Sequence, residues 1–364
     1  MKVSEIINSI EEVAPRSLQE NYDNAGVQIG SVNRECNSAL LCIDVTEEVI
    51  DEAISLGINL VISHHPLLFK GLKAITGNGY IERIVIKAIK NDITIYAAHT
   101  NLDNAFYGVN DKIAEKIGLT NNKILSPLEN RLLKIVTFVP LEQVDQVKNA
   151  MYDAGAGSIG NYDRCSFTSE GYGTFRAGES SHPFCGYIGT EHTEKEVRLE
   201  MILPDFKKTT VIKALLSSHP YEEPAFDIIE LQNSWQKAGS GVIGDLPEEM
   251  DTIQFLKKLK TLFSLTCLKH SRILKPTVRR IALCGGAGSF LMKDAINSNA
   301  DVFITGEIKY HDYFGNDENI LLAELGHYES EQYTKDIFSD IITKKFPTFA
   351  TYYTKVETNP INYL

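Results

Sequence analysis

The stretch SALLCIDVTEEVIDEAISLGINLVISHHPLL, residues 38–68, decides how the chain is read. It opens on the apolar run Ser38–Thr46, passes through EEVIDEAISLG with helical spacing and a closing glycine, and ends on a second run, Asn59–His65. Short, nearly continuous apolar runs separated by helices predict strands buried on both faces, as in an α/β sheet. The style continues outward. IERIVIKAIKND predicts another helix, and Ile93–Thr100 (ITIYAAHT) another strand. The last third repeats it with Arg280–Cys284, Asp301–Thr305, Asn319–Leu325 and Phe349–Thr354. The first and last thirds are expected to build one sheet system.

The middle differs. Arg131–Val139 reads as a strand, and Leu141, Val144, Val147 and Met151 mark the apolar face of a helix. Val197, Leu199, Met201 and Leu203 then alternate with period two, a helix covers Asp205–Ser218, and Ala225–Leu231 gives a last strand. That succession predicts a ferredoxin-like α+β unit. Polar stretches at Ser126–Asn130 and Gln232–Gly241 read as its hinges. The expected organisation is a discontinuous outer domain, 1–128 and 235–364, interrupted by an inserted one, 129–234.

Composition narrows the function. The chain has 364 residues, 43% apolar and 23% charged, which suits two or three globular domains at about 150 residues each. Lys plus Arg number 36 against 48 Asp plus Glu, a formal charge of −12. Without a concentrated basic patch, nucleic acid is a poor partner. Six scattered cysteines with no CxxC pair fit a reducing compartment and argue against a disulfide framework or zinc ribbon. MKVSEIINSIEEVAP reads as a docked amphipathic helix rather than a signal peptide, and no apolar run approaches the about 18 residues of a membrane span. A soluble, cytoplasmic protein is expected.

Metal-ligand chemistry falls at three predicted strand ends. His64-His65 follows NLVIS, and at a turning strand end each imidazole can address a different ion. His99 and Asp103 sit in AAHTNLDNA, where a strand opens into a polar loop. His327 and Glu331, four residues apart after Gly326, share one face of a helix. Alone, each has a plainer reading: a solvated ion pair, a structural histidine pair, a hydrogen-bonded core histidine. Ligands in open α/β sheets bind outside the carboxyl ends of strands, so the coincidence of all three favours a site. Imidazole and carboxylate without thiolate suit zinc first, with manganese or iron as alternatives. The expected arrangement is two divalent ions with one bridging carboxylate, a role given to Asp103, and open positions for water.

SHHPLLF, HTNLDNAFYGVN, TGEIKYHD and GHYESE, together with ENYDNAGVQIG and GSGVIGDL, resemble the Nif-three-like (YqfO-type) family, whose members carry the name GTP cyclohydrolase I type 2 homologue. The resemblance runs in order over nearly the whole chain. It implies a three-layer α/β domain with a dinuclear metal site, assembled as a toroidal homohexamer. Carried over by motif, the ligands are His64, His65, Asp103, His327 and Glu331, with His99 in the site. Longer members carry a PII/CutA-like insert, and HPYEEPAFDI (219–228) resembles its characteristic segment.

Other positions read less sharply. Tyr310 stands where many relatives carry a second histidine, which leaves only His311 and weakens any paired proton transfer there. Glu307 is either a general acid or base or a cap on the following segment. CGGAGS (284–289) reads as a tightly packed turn ahead of a phosphate cradle, lacking the remaining signature of a nucleotide fingerprint. His219 and Glu222 are explained more simply as a helix end entering an edge strand than as ligands. The leading expectation is a metal-dependent hydrolase, of cyclohydrolase or phosphoesterase type, acting on a small nucleotide-like substrate, with His99 or Glu307 handling protons. The alternative is a non-catalytic metal-binding regulator whose insert senses a small ligand.

Overall fold

A computed structural model describes residues 1–314 and 319–364. In chain order its strands are β1 (Gly26–Ile29), β2 (Ser38–Cys42), β3 (Leu60–Ser63), β4 (Thr94–Ala97), β5 (Thr120–Leu128), β6 (Leu132–Pro140), β7 (Phe167–Arg176), β8 (Glu191–Pro204), β9 (Phe226–Leu231), β10 (Trp235–Asp251), β11 (Lys269–His270), β12 (Thr277–Cys284), β13 (Val302–Thr305), β14 (Leu321–Glu324) and β15 (Ala350–Tyr353). They belong to two compact units, one formed by Met1–Pro127 with Lys237–Leu364, the other by Leu128–Gln236.

The first unit holds two sheets. One has the order β1-β4-β3-β2-β15, parallel apart from β1, which runs antiparallel on β4. Leu40, Leu41, Val61, Ile62, Ile95 and Tyr96 are fully buried, the double-sided burial that continuous apolar runs demand. The helix Glu47–Leu56 starts where the Thr46 side chain accepts from the Val49 N–H and stops at Gly57, whose φ of 67° suits glycine. Its Val49, Ile50 and Ala53 pack with Ile84, Val85 and Ala88 of the helix Tyr80–Lys90. Each large aliphatic side chain so buried contributes roughly 1.5–3 kcal/mol before entropy is counted.

The other sheet has the order β11-β14-β13-β12-β10-β5, with β12, β13 and β14 parallel and β10 antiparallel to β12. The expectation of one sheet for the first and last thirds is therefore corrected. Two strands cross over: β5 joins the edge of this second sheet beside β10, and β15 pairs in parallel with β2 from Ala350↔Ser38 onward. Hydrophobic runs report burial but not the neighbour a strand pairs with, and β10 and β11 flank the β12–β14 trio.

The expected hinges are also corrected in part. Ser126–Leu128 ends β5, and Trp235–Gly241 begins the 17-residue β10. Gly and Ser there read as loop by composition. At Gly241, with φ 68°, a Cβ would lie 2.8 Å from the Leu283 carbonyl oxygen, so the glycine serves close strand packing.

In the second unit, β6, the helix Val144–Asp153, β7, β8, the helix Lys208–Ser218 and β9 follow one another, and the sheet order is β7-β8-β6-β9, all antiparallel. Ile135, Val139, Val147, Met151, Leu199 and Leu215 form its core. β7 has no counterpart in the sequence reading, because FTSEGYGTFR is exposed at nearly every position and carries no apolar stripe. Among the described residues no helix is long and apolar enough to cross a membrane.

Candidate metal centre

Six parallel strands of the first unit point their carboxyl ends toward one place, where chain turns put polar side chains just past the last ladder residue. β3 leads into His64 and His65, β4 into His99, β2 into Asp44, β13 into Glu307, β14 into His327, and β12 into a glycine turn. The His64 and His65 amides still donate to Cys42 and Ile43 carbonyls at 3.3 and 3.0 Å, so the ladder extends through the pair. Their rings, 4.9 Å apart and inclined by 42°, consequently head for different partners.

His64 is fully buried. Its Nδ1 lies 2.9 Å from the Ala98 carbonyl, which only accepts, so that nitrogen carries the proton and Nε2 presents a lone pair. Nε2 has no hydrogen-bond partner among the described residues and stands 3.6 Å from Asp103 Oδ1 and 3.7 Å from Glu331 Oε1. His65 hydrogen-bonds Asp44 through Nδ1 at 2.7 Å, while Nε2 lies 3.0 Å from Glu331 Oε2. His327 opens the short helix His327–Glu331, where the four-residue spacing brings its Nε2 to 3.3 Å from Glu331 Oε2. Its Nδ1 meets Glu307 Oε1 at 2.8 Å.

Two donor groups result, His64–Asp103–Glu331 and His65–His327–Glu331, each with its atoms within 4.8 Å of one another. The carboxylate common to both is Glu331, reached through different oxygens; the shared position expected for Asp103 moves there. His99 forms a third group with His64 and His65 and is held at Nδ1 by Asp23 Oδ1, 2.8 Å away. Of the residues expected as metal ligands or proton carriers, Glu307 alone enters no donor group among the described residues. Its carboxylate meets His327 Nδ1.

The charges fit a cation. Burial and the neighbouring Glu331 push the Asp103 carboxyl well above the ordinary range. Burial would raise Glu331 too, but the imidazoles of His64, His327 and His65 hold it well below. Burial lowers His64, which keeps its lone pair. For His65 burial is outweighed by hydrogen bonds to Asp44 and Glu331, which push it up to about 10, and Glu331 likewise takes His327 to about 9. Without a metal, protons on His65 and His327 balance the Glu331 carboxylate. A divalent ion would do the same for both carboxylates and meet the orphaned Nε2 of His64, a buried group whose lack of a partner costs about 1–3 kcal/mol.

The glycine turn after β12 serves the carboxylate. Gly286 has φ 59°, and a Cβ there would collide with Glu331 Oε1. The amides of Gly285, Gly286 and Gly288 donate to Asn110, Ser330 and Thr305, so the turn is packing and not a phosphate cradle. Tyr310 and His311 touch each other and stay outside the donor groups. Asp23 and Asp44, which orient His99 and His65, were not singled out from sequence. For Asp44 the signal existed, since it lies two residues past a strand end like His65 and His99; for Asp23 burial would raise the carboxyl, but hydrogen bonds from His99 and Thr100 outweigh it and hold it at about 2.

Fold and site define a class: a mixed α/β protein with a partly buried histidine–carboxylate cluster that could hold metal ions at its strand ends. The chain belongs to the Duf34/NIF3 (NGG1p interacting factor 3) family, whose profile matches residues 1–360. It is 42% identical over 307 residues to the GTP cyclohydrolase 1 type 2 homolog of Halalkalibacterium halodurans, covering 84% of this chain and 82% of that one. The Bacillus subtilis protein of the same name is 35% identical over 99% of this chain and 98% of its own. Among solved structures, a Bacillus cereus protein related to NIF3 superposes with a TM-score of 0.88 at 38% identity, over 100% of this chain and 99% of the other.

Proposed function

We propose that this protein holds two divalent cations, zinc first, in the His64–Asp103–Glu331 and His65–His327–Glu331 groups, and hydrolyses a small nucleotide-like molecule there. The observation that carries the reading is the buried, partnerless Nε2 of His64 between two carboxylates, one of which also serves His65 and His327. Bound ions supply Lewis acidity and a water acidified toward neutrality. The chain's own residues do the rest. A cavity of about 220 Å³ lined by Tyr22, His99, Phe290, His327 and Glu331 admits a compact ligand. Tyr22 and Phe290, 67% and 66% exposed, offer faces on which a purine could stack. His99, fixed at Nδ1 by Asp23, keeps its other nitrogen for moving a proton to or from the substrate. Glu307 acts by orienting His327. The name borne by the relatives supports a nucleotide substrate.

Product analysis by mass tests the reading. Metal-loaded protein and a His327→Ala/Glu331→Ala variant are incubated with GTP and a panel of phosphate esters. A product made only by the unmodified protein is expected. If neither yields one, hydrolysis is abandoned in favour of a metal-binding regulator, which a separate cavity of about 610 Å³ in the Leu128–Gln236 unit favours. That unit is proposed to be the family's PII/CutA-like insert, and the assembly a cytoplasmic toroidal hexamer. A sedimentation mass of one chain would refute the assembly.

A further inference from the structure

The Leu128–Gln236 unit carries its own constellation of metal donors. His192 and Glu194 are two apart on β8, so both side chains leave the same face of the strand, and His192 Nε2 lies 2.8 Å from Glu194 Oε2. The connection from β7 to β8 folds Cys185 back onto them. Gly186 permits this: at φ 77° its absent Cβ would lie 2.9 Å from both Cβ and Cγ of His192, so any side chain there would drive the connection off the ring. One sulfur, one ring nitrogen and one carboxylate oxygen thereby gather within 4.8 Å of one another. The Tyr221 hydroxyl stands 3.8 Å from Cys185 Sγ and donates to Glu196 at 2.8 Å. The Phe175 ring closes the other side, 5.4 Å from His192. All three donors are partly buried, sheltered yet open to an entering ion.

We propose that Cys185, His192 and Glu194 form a further metal site, taking a single borderline transition-metal ion of the zinc class. A thiolate beside an imidazole discriminates against calcium and magnesium, which want oxygen donors alone, and three protein donors leave a fourth position exchangeable. Phe175 and Tyr221 also line the 610 Å³ cavity of this unit, so that position lies next to space for a small ligand. Burial keeps the thiol protonated when no ion is present, and binding therefore releases its proton to solvent. The site is independent of the hydrolase reading, because its sulfur donor has no equivalent in the His64–Glu331 cluster.

The sulfur supplies the test. Metal-free full-length protein, kept reduced by a phosphine, is titrated with cobalt(II). A thiolate-to-cobalt charge-transfer absorbance in the near ultraviolet is expected. Cys185→Ser should abolish it, His192→Ala should weaken cobalt affinity at this site about 10–100-fold, and Cys284→Ser and Asp103→Ala should leave it in place. Circular dichroism of Cys185→Ser checks that the chain is folded, and the lost band must be matched by one fewer cobalt bound per chain. Absence of the band in the unmodified protein, or its persistence in Cys185→Ser, would overturn the proposal.

Discussion

Glu331 is the residue on which the centre turns, since its two oxygens serve different histidines while its side chain is only 4% exposed. The two proposed ions should therefore respond unequally to loss of a carboxylate. Asp103→Asn is expected to leave one ion per chain and Glu331→Gln none, read by elemental analysis of the folded variants; equal losses would contradict the shared role. Protons compete for the same atoms. His65 is raised from 6.5 to about 10 in the metal-free fold, so its pairing stabilises fully below about pH 6.5 and fades as the pH climbs toward 10. A bound cation would fill that place without a proton. The rise in Tm on adding zinc should thus grow between about pH 6.5 and 9, and calorimetry showing a shrinking rise would count against the assignment. The residues that the fold gathers into donor groups were legible because their clues are local: a histidine pair after an apolar run, and a four-residue spacing past a glycine. Which carboxylate is shared was not legible, as it depends on side chains 228 positions apart meeting in space (331 − 103).

Strand ends and turns, rather than helices, do the positioning. The turn after β12 leaves a void that the Glu331 carboxylate fills, with Gly286 at φ 59° as its floor. Gly286→Ala should cost about 1–2 kcal/mol of stability from the left-handed backbone alone. It should also expel the carboxylate, so that metal content falls more than the change in Tm would suggest; a folded Gly286→Ala that kept its metal would sink this account. From sequence the same glycines read as a tightly packed turn, without the partner they pack against. β10 taught a similar lesson, because QKAGSG looked like a linker and is strand, its glycines admitting close neighbours. Local composition reports how freely a backbone can bend, whereas packing decides whether it does.

At the scale of the molecule, all the residues proposed to hold the two ions lie outside Leu128–Gln236. Replacing that unit by a short Gly-Ser bridge is feasible, since β5 and β10 are neighbours and a Cβ on Gly239 would lie 2.7 Å from the Pro127 Cα. The shortened protein should fold and keep both ions, apart from any held at Cys185; loss of the dinuclear content from a well-folded deletion would contradict the domain reading. Much here was written in the chain itself. Period-two and continuous apolar runs specify strands, helical spacing specifies the helices between them, and the order of strand and helix in the middle reflects burial along each element. Those are short-range properties, set by which side of a backbone must leave water. Tertiary structure alone decided that the outer strands divide into two sheets, that β15 crosses to β2, that Asp23 and Asp44 orient histidines, and that Glu331 joins both donor groups. Each is a pairing between distant segments, chosen by which combination buries its apolar faces and satisfies its polar atoms together, and no single stretch of sequence contains that choice.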